Sequence, residues 1–138
     1  MGNTIIHPTA AARIALARRF GLPYSDTMQD WEWEVATPDR FNEFLTTYRT
    51  VALTDEERFS LMEILIQCVE ELHGTALFEP ACNELKPLLE KNLELHRATI
   101  EYWSVPGSVE LDHLFRISPF MRNLAASSSL SAHNDVSA

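Results

Sequence analysis

Apolar residues recur along this chain with the period of an α-helix, and strand-like alternation is scarce. The pattern is plainest in TDEERFSLMEILIQCVEELHG, residues 54–74. Thr54 and Glu57 have the spacing of a capping box, and Asp55 and Glu56 add negative charge where the helix dipole is positive. Phe59, Leu61, Met62, Ile64, Leu65, Ile66, Cys68, Val69 and Leu72 then cover more than half of the helix circumference. A surface helix needs an apolar arc of only about 100°. The spacing therefore predicts a central helix near 54–73 with neighbours on several sides, closed by Gly74.

Other helices follow from the same rules. TPDRFNEFLTTYR has Thr37 as N-cap and Pro38 in the first helical position. Phe41, Phe44, Leu45 and Tyr48 then repeat at i, i+3, i+4 and i+7. Near the N-terminus, His7, Pro8 and Thr9 lead into AAARIALARRF, which Gly21 and Pro23 stop. Ser118 and Pro119 start a short last helix through Met121 and Leu124.

Residues 80–103 read as one helix, or as two that meet at Pro87, where a proline removes a hydrogen bond and bends the axis. Lys86, Glu90, Glu94, Arg97 and Glu101 form its solvated face. Leu85, Leu89, Ile100 and Trp103 form its apolar face, and Asn92, His96 and Thr99 lie inside that same stripe. A buried polar atom without a partner costs about 1–3 kcal/mol, so these groups must be bonded to something. They are either a core network that fixes helix register or the wall of a small cleft.

The expected architecture is all-α, a single compact bundle of about five or six helices. Residues 1–25 form a basic N-terminal helix or arm, residues 26–124 the all-α core, and residues 125–138, small and polar, a disordered tail. Residues 108–117 carry no clear signal. The N-terminal stretch lacks the continuous apolar region of a secretory signal and reads as an ordinary first helix rather than a targeting segment.

Composition narrows the function. The 138 residues suit one ordinary domain, able to bury about two-thirds of its unfolded surface without metal or disulfide staples. Net charge is −9 and unevenly placed: residues 1–25 hold Arg13, Arg18 and Arg19 and no acid, and the remainder holds 8 bases against 20 acids. Phosphates would be repelled by the body of the protein, so nucleic acid and membrane are poor partners and a basic protein surface is a good one. Self-association is compatible with the pattern. Cys68 and Cys82 lack CxxC spacing and sit on apolar helix faces, as reduced thiols in a cytoplasmic protein do.

Three groups of residues are candidates for chemistry. DTMQDWEWEVA brings Asp26, Asp30, Glu32 and Glu34 together with Trp31 and Trp33 and no base. Aromatic anchors with charge around them suit a protein interface, so Asp30, Trp31, Glu32, Trp33 and Glu34 are the expected binding residues. A solvated acidic rim around core tryptophans is the plainer alternative. The second group is a pocket built from Asn92, His96, Thr99, Tyr102 and Arg116, with His96 as acid, base or ligand-binding group. The third uses two E-x-x-H spacings, Glu70 with His73 and Glu110 with His113, which in paired copies hold two metals in carboxylate bundles. That match is weak, because His73 abuts Gly74 at the helix end. Arg116 and Arg122 bracket the start of the last helix, where they would clamp an anion or pair with carboxylates.

No Gly-rich phosphate loop, G-x-S-x-G, CxxC or H-E-x-x-H is present. The expectation is a non-catalytic acidic interaction module without cofactor, in one concrete form a bacterial immunity- or antitoxin-like inhibitor that occludes a basic partner surface. The alternatives are a small-molecule-binding protein or small enzyme centred on His96, and a di-metal bundle.

Overall fold

The computed structural model describes residues 8–104 and 115–137, with side chains of the last helix described through Ser127. The protein is all-α: among the described residues there are seven α-helices and one 3-10 turn, and no strand. Its contacts divide into two units, one ending at Leu72 and the other beginning at His73.

The first unit is built on the helix whose pattern is plainest in the sequence. It contains α1 (Ala10–Phe20), α2 (Trp31–Glu34), a 3-10 turn (Pro38–Arg40), α3 (Phe41–Thr50) and α4 (Asp55–Glu71). α1, α2, the 3-10 turn and α3 each pack on α4. Both halves of the capping box form: Glu57 N–H donates to Thr54 Oγ1 at 3.1 Å, and Thr54 N–H donates to Glu57 Oε1 at 2.9 Å. From Phe59 to Ile66 every residue of α4 is buried. A helix covered all round needs partners all round, and the first unit supplies four short segments for that purpose. α4 ends at Glu71, earlier than its expected close at Gly74, and Gly74 lies in the following turn at φ +90°.

Short side chains and one arginine close the ends of α1. Thr9 Oγ1 accepts from Ala12 N–H at 3.1 Å. Gly21 adopts the left-handed conformation at φ 67°, ψ 39°, and its N–H donates to Ala17 O. Arg40 reaches back from the 3-10 turn to donate to Phe20 O at 2.8 Å. Its guanidinium also lies over the rings of Phe20 and Phe44, which meet edge to face with centroids 4.8 Å apart.

The second unit contains α5 (Phe78–Lys91), α6 (Leu93–Ser104) and α7 (Ser118–Ser137). The helix expected over 80–103 is divided at Asn92 rather than at Pro87. Pro87 is held inside α5. At Asn92 the backbone leaves the helical region, with φ −118° and ψ 47°, and α6 resumes at Leu93. Proline lacks a donor and crowds the preceding turn, but its fixed φ is itself helical, so neighbouring packing can carry it. α7 pairs with α6. Ser118 Oγ donates to Trp103 O at 2.7 Å and Arg122 Nε donates to Ser104 O at 2.7 Å. Two carbonyls that α6 would leave unpaired at its end thus find side-chain donors from α7, one of them cationic where the helix dipole is negative.

The backbone of α7 stays helical through Ser137, where a disordered tail is expected from residue 125. Its serine-rich composition suggests disorder, but no glycine or proline follows Pro119 to stop the helix locally. No helix among the described residues is long and apolar enough to cross a membrane.

Two substitutions measure these supports. Thr54→Ala is expected to cost about 1 kcal/mol through the lost cap, and Leu65→Ala about 3 kcal/mol through the cavity it leaves. Urea unfolding followed by circular dichroism checks both, and equal costs would contradict the central place of α4.

Candidate functional site

The acidic stretch between α1 and α3 is a long connection with a single helical turn in it. α2 holds only 4 residues, too few to be stable alone, so outside contacts must fix its place. Trp31 is fully buried, and its Nε1 donates to Pro23 O at 2.7 Å. The Tyr24 ring meets the Trp31 indole edge to face at 6.3 Å. The stretch is therefore folded back on itself around one indole.

The next residue makes the strongest polar contact of the unit. Glu32 is 4% exposed and faces Arg13 of α1 in a two-pronged ion pair. Arg13 Nε donates to Glu32 Oε2 at 2.8 Å and Nη2 donates to Oε1 at 2.7 Å. Ser60 of α4 adds a third bond, its Oγ donating to Glu32 Oε2 at 2.7 Å. Arg13 also donates to Met28 O at 3.2 Å and to Gln29 O at 3.0 Å. The hydrogen bonds that Arg13 donates to Glu32 raise the Arg13 pKa, against the opposing effect of burial. The guanidinium thus stays cationic. One turn along α4, Glu63 is also buried and accepts from Trp33 Nε1 at 3.0 Å.

The five residues expected to bind a partner are therefore divided by the fold. Trp31 and Glu32 turn inward, and Trp33 is half-buried. Asp30 and Glu34 are exposed, with Asp26 before them and Asp39 after them. Asp30, Glu34 and Asp39 form no ion pair among the described residues, although Asp30 contributes weakly to the raised pKa of Arg13. Asp26 accepts a hydrogen bond from the Tyr24 hydroxyl at 3.0 Å, which raises the Tyr24 pKa. The sequence reading missed Arg13, Ser60 and Glu63 as the inner partners. A signal existed: Arg13 heads the stripe Leu16, Ala17, Phe20 at helical spacing, and Ser60 and Glu63 interrupt the apolar arc of α4.

The polar stripe belongs to the second unit. His96 and Thr99 are buried, Asn92 is half-buried at the break between α5 and α6, and Tyr102 and Arg116 are exposed. Tyr102 packs against Trp103 and Phe115, with ring centroids 5.7 Å and 5.6 Å away. Because the helix breaks at Asn92, the stripe is not one continuous face. Arg122, a candidate anion clamp, is engaged with the Ser104 carbonyl.

Of the proposed metal ligands, Glu70 is half-buried near the end of α4, and His73 is exposed, meeting Phe78 edge to face at 5.1 Å. Glu110 and His113 lie outside the described residues. Among the described residues, no three His, Cys, Asp or Glu gather in a way that could hold a metal ion.

Cys68 and Cys82 are buried thiols that are not joined in a disulfide. Burial pushes the Cys68 thiol up to about 12, opposed by a hydrogen bond with the Thr37 backbone. A thiol held protonated in this way is a poor nucleophile.

Comparison of the chain with protein-family models, with curated proteins and with solved structures finds no match.

Two measurements follow from this geometry. Glu32→Ala leaves Arg13 and Ser60 facing an empty site and is expected to cost about 3 kcal/mol in urea unfolding, more than Ser60→Ala. For Cys68, the folded state keeps its proton longer than the unfolded state. Its contribution to stability is complete below the ordinary value of 9.0 and is lost as pH rises toward about 12. Alkaline unfolding curves of wild type and Cys68→Ala should diverge in that interval, and native Cys68 should resist alkylation at neutral pH.

Proposed function

We propose that the protein is a non-catalytic interaction module that binds a basic protein surface through the acidic connection between α1 and α3. The observation that carries this reading is the division of charge within that connection. Its inner carboxylate, Glu32, is neutralised by Arg13, while Asp30, Glu34 and Asp39 face solvent without ion pairs among the described residues. Residues 20–39 contain no lysine or arginine, so the exposed charges add rather than cancel. Trp33, half-buried and between Asp30 and Glu34 in the chain, supplies the aromatic area for such a contact.

Such a surface speeds encounter with a cationic partner and suits an inhibitor that covers a basic active site, as immunity proteins and antitoxins do. Binding of this kind works by occlusion and charge complementarity, with no bond made or broken. The burial of His96 and Thr99 favours this reading over a ligand site on their stripe.

The test uses the wild-type chain and the Asp30→Lys/Glu34→Lys variant as baits in an extract of the source cell. Wild type is expected to retain a basic protein at low salt and to release it as ionic strength approaches about 1 M, where the Debye length shrinks to about 3 Å. The variant should bind the recovered protein at least about tenfold more weakly, the effect of losing charge complementarity worth about 1.4 kcal/mol. Equal retention by both baits would refute this surface, and recovery of no basic protein would refute the reading.

A further inference from the structure

We propose that residues 21–36 are a strap that opens and closes as a unit on the first unit of the protein, with Arg13 as its latch. The strap contains one turn of helix and otherwise irregular or turn backbone, so its order is imposed from outside. It is nevertheless tied to itself. Trp31 Nε1 bonds the Pro23 carbonyl, Tyr24 stacks edge-on against Trp31, and Met28 N–H donates to Ser25 O at 3.0 Å. A segment with internal ties of this kind moves as a body rather than fraying residue by residue.

Its polar attachment is concentrated on one side chain. A single guanidinium makes four hydrogen bonds to the strap: two to the Glu32 carboxylate and one each to the carbonyls of Met28 and Gln29. Planar geometry matters here, because the bonds diverge from a rigid fork to three residues. An ammonium group at the same place would keep the charge and could not meet all the acceptors. Further polar attachments come from α4, where Ser60 donates to Glu32 and Glu63 accepts from Trp33, and from α1, where Ala17 O accepts from the Gly21 and Leu22 amides at the start of the strap.

Trp31 is fully buried, so the open form is a minor one. Opening withdraws that indole and frees Glu32 from Ser60. It also uncovers Glu63, so that two inward carboxylates join Asp30 and Glu34 at the surface. Lifted from Arg13, Glu32 becomes available to a guanidinium or ammonium of a partner, which would hold the strap open by replacing the internal pair with an external one. This consequence rests on the docking reading above. The strap itself does not.

Native-state hydrogen exchange tests the strap without any partner, so its failure and that of the docking reading are separable. The probes are the amides of Trp33, Glu34 and Val35, which donate to the carbonyls of Asp30, Asp30 and Trp31. In wild type at low urea they should exchange through an opening of their own, faster than the core amides of α4. In Arg13→Lys they should exchange about tenfold faster or more, the effect of losing two charge-assisted hydrogen bonds. The amides of α3 and α4 should change far less. Glu32→Gln, which keeps the shape and removes the charge, should give the same selective acceleration. Strap amides that exchange only together with α4 in wild type would overturn the proposal, whether or not either variant folds. Uniform acceleration across α3 and α4, or no acceleration in either variant, would overturn it as well.

Discussion

The first unit depends on a partly buried ion pair between Arg13 and Glu32. Apolar burial makes α4 central, but apolar burial is not directional and cannot by itself fix a four-residue helix on a connection of this length. The guanidinium can, because it requires two carboxylate oxygens and two backbone carbonyls in definite directions. Desolvating charge is expensive, and the cost is offset by the two-pronged geometry, by the backbone carbonyls on Arg13 and by the Ser60 hydroxyl on the carboxylate. Specificity of position, more than net stability, is what such a pair contributes.

The same economy of polar groups appears at the ends of helices. Arg40 covers the last carbonyl of α1, and in the second unit Ser118 and Arg122 cover carbonyls at the end of α6. In each case a side chain from a neighbouring element completes a helix that cannot complete itself. Three of the chain's nine arginines are used in this inward way, on carbonyls or on a buried carboxylate. Among the described residues, Glu32 and Glu63 are the buried acids. An acidic exterior is therefore a consequence of how the bases are spent, as well as of their small number.

Much of the fold was legible in the sequence where the signal was local. The capping box at Thr54, the apolar circumference of α4 and the stop at Gly21 all formed as their spacing implied. The break at Asn92 and the continuation of the α7 backbone past Leu124 did not follow from spacing, because the local preference at both places is weak. Of the site, the negative charge and the two indoles were legible. Which of them face inward was not: Trp31 and Trp33 are equally apolar in the chain, yet the first is sealed and the second half-covered.

The sequence by itself determined the helical class, the central place of α4 and the excess of acid, because caps, periodicity and composition act within one or two turns of the chain. Tertiary structure alone decided that Glu32 would be taken by a base 19 residues away and a hydroxyl 28 residues away. No local rule links residues so far apart. Their pairing follows from the docking of α1 and the acidic connection against α4, which brings one arginine to one carboxylate and leaves the flanking acids in water.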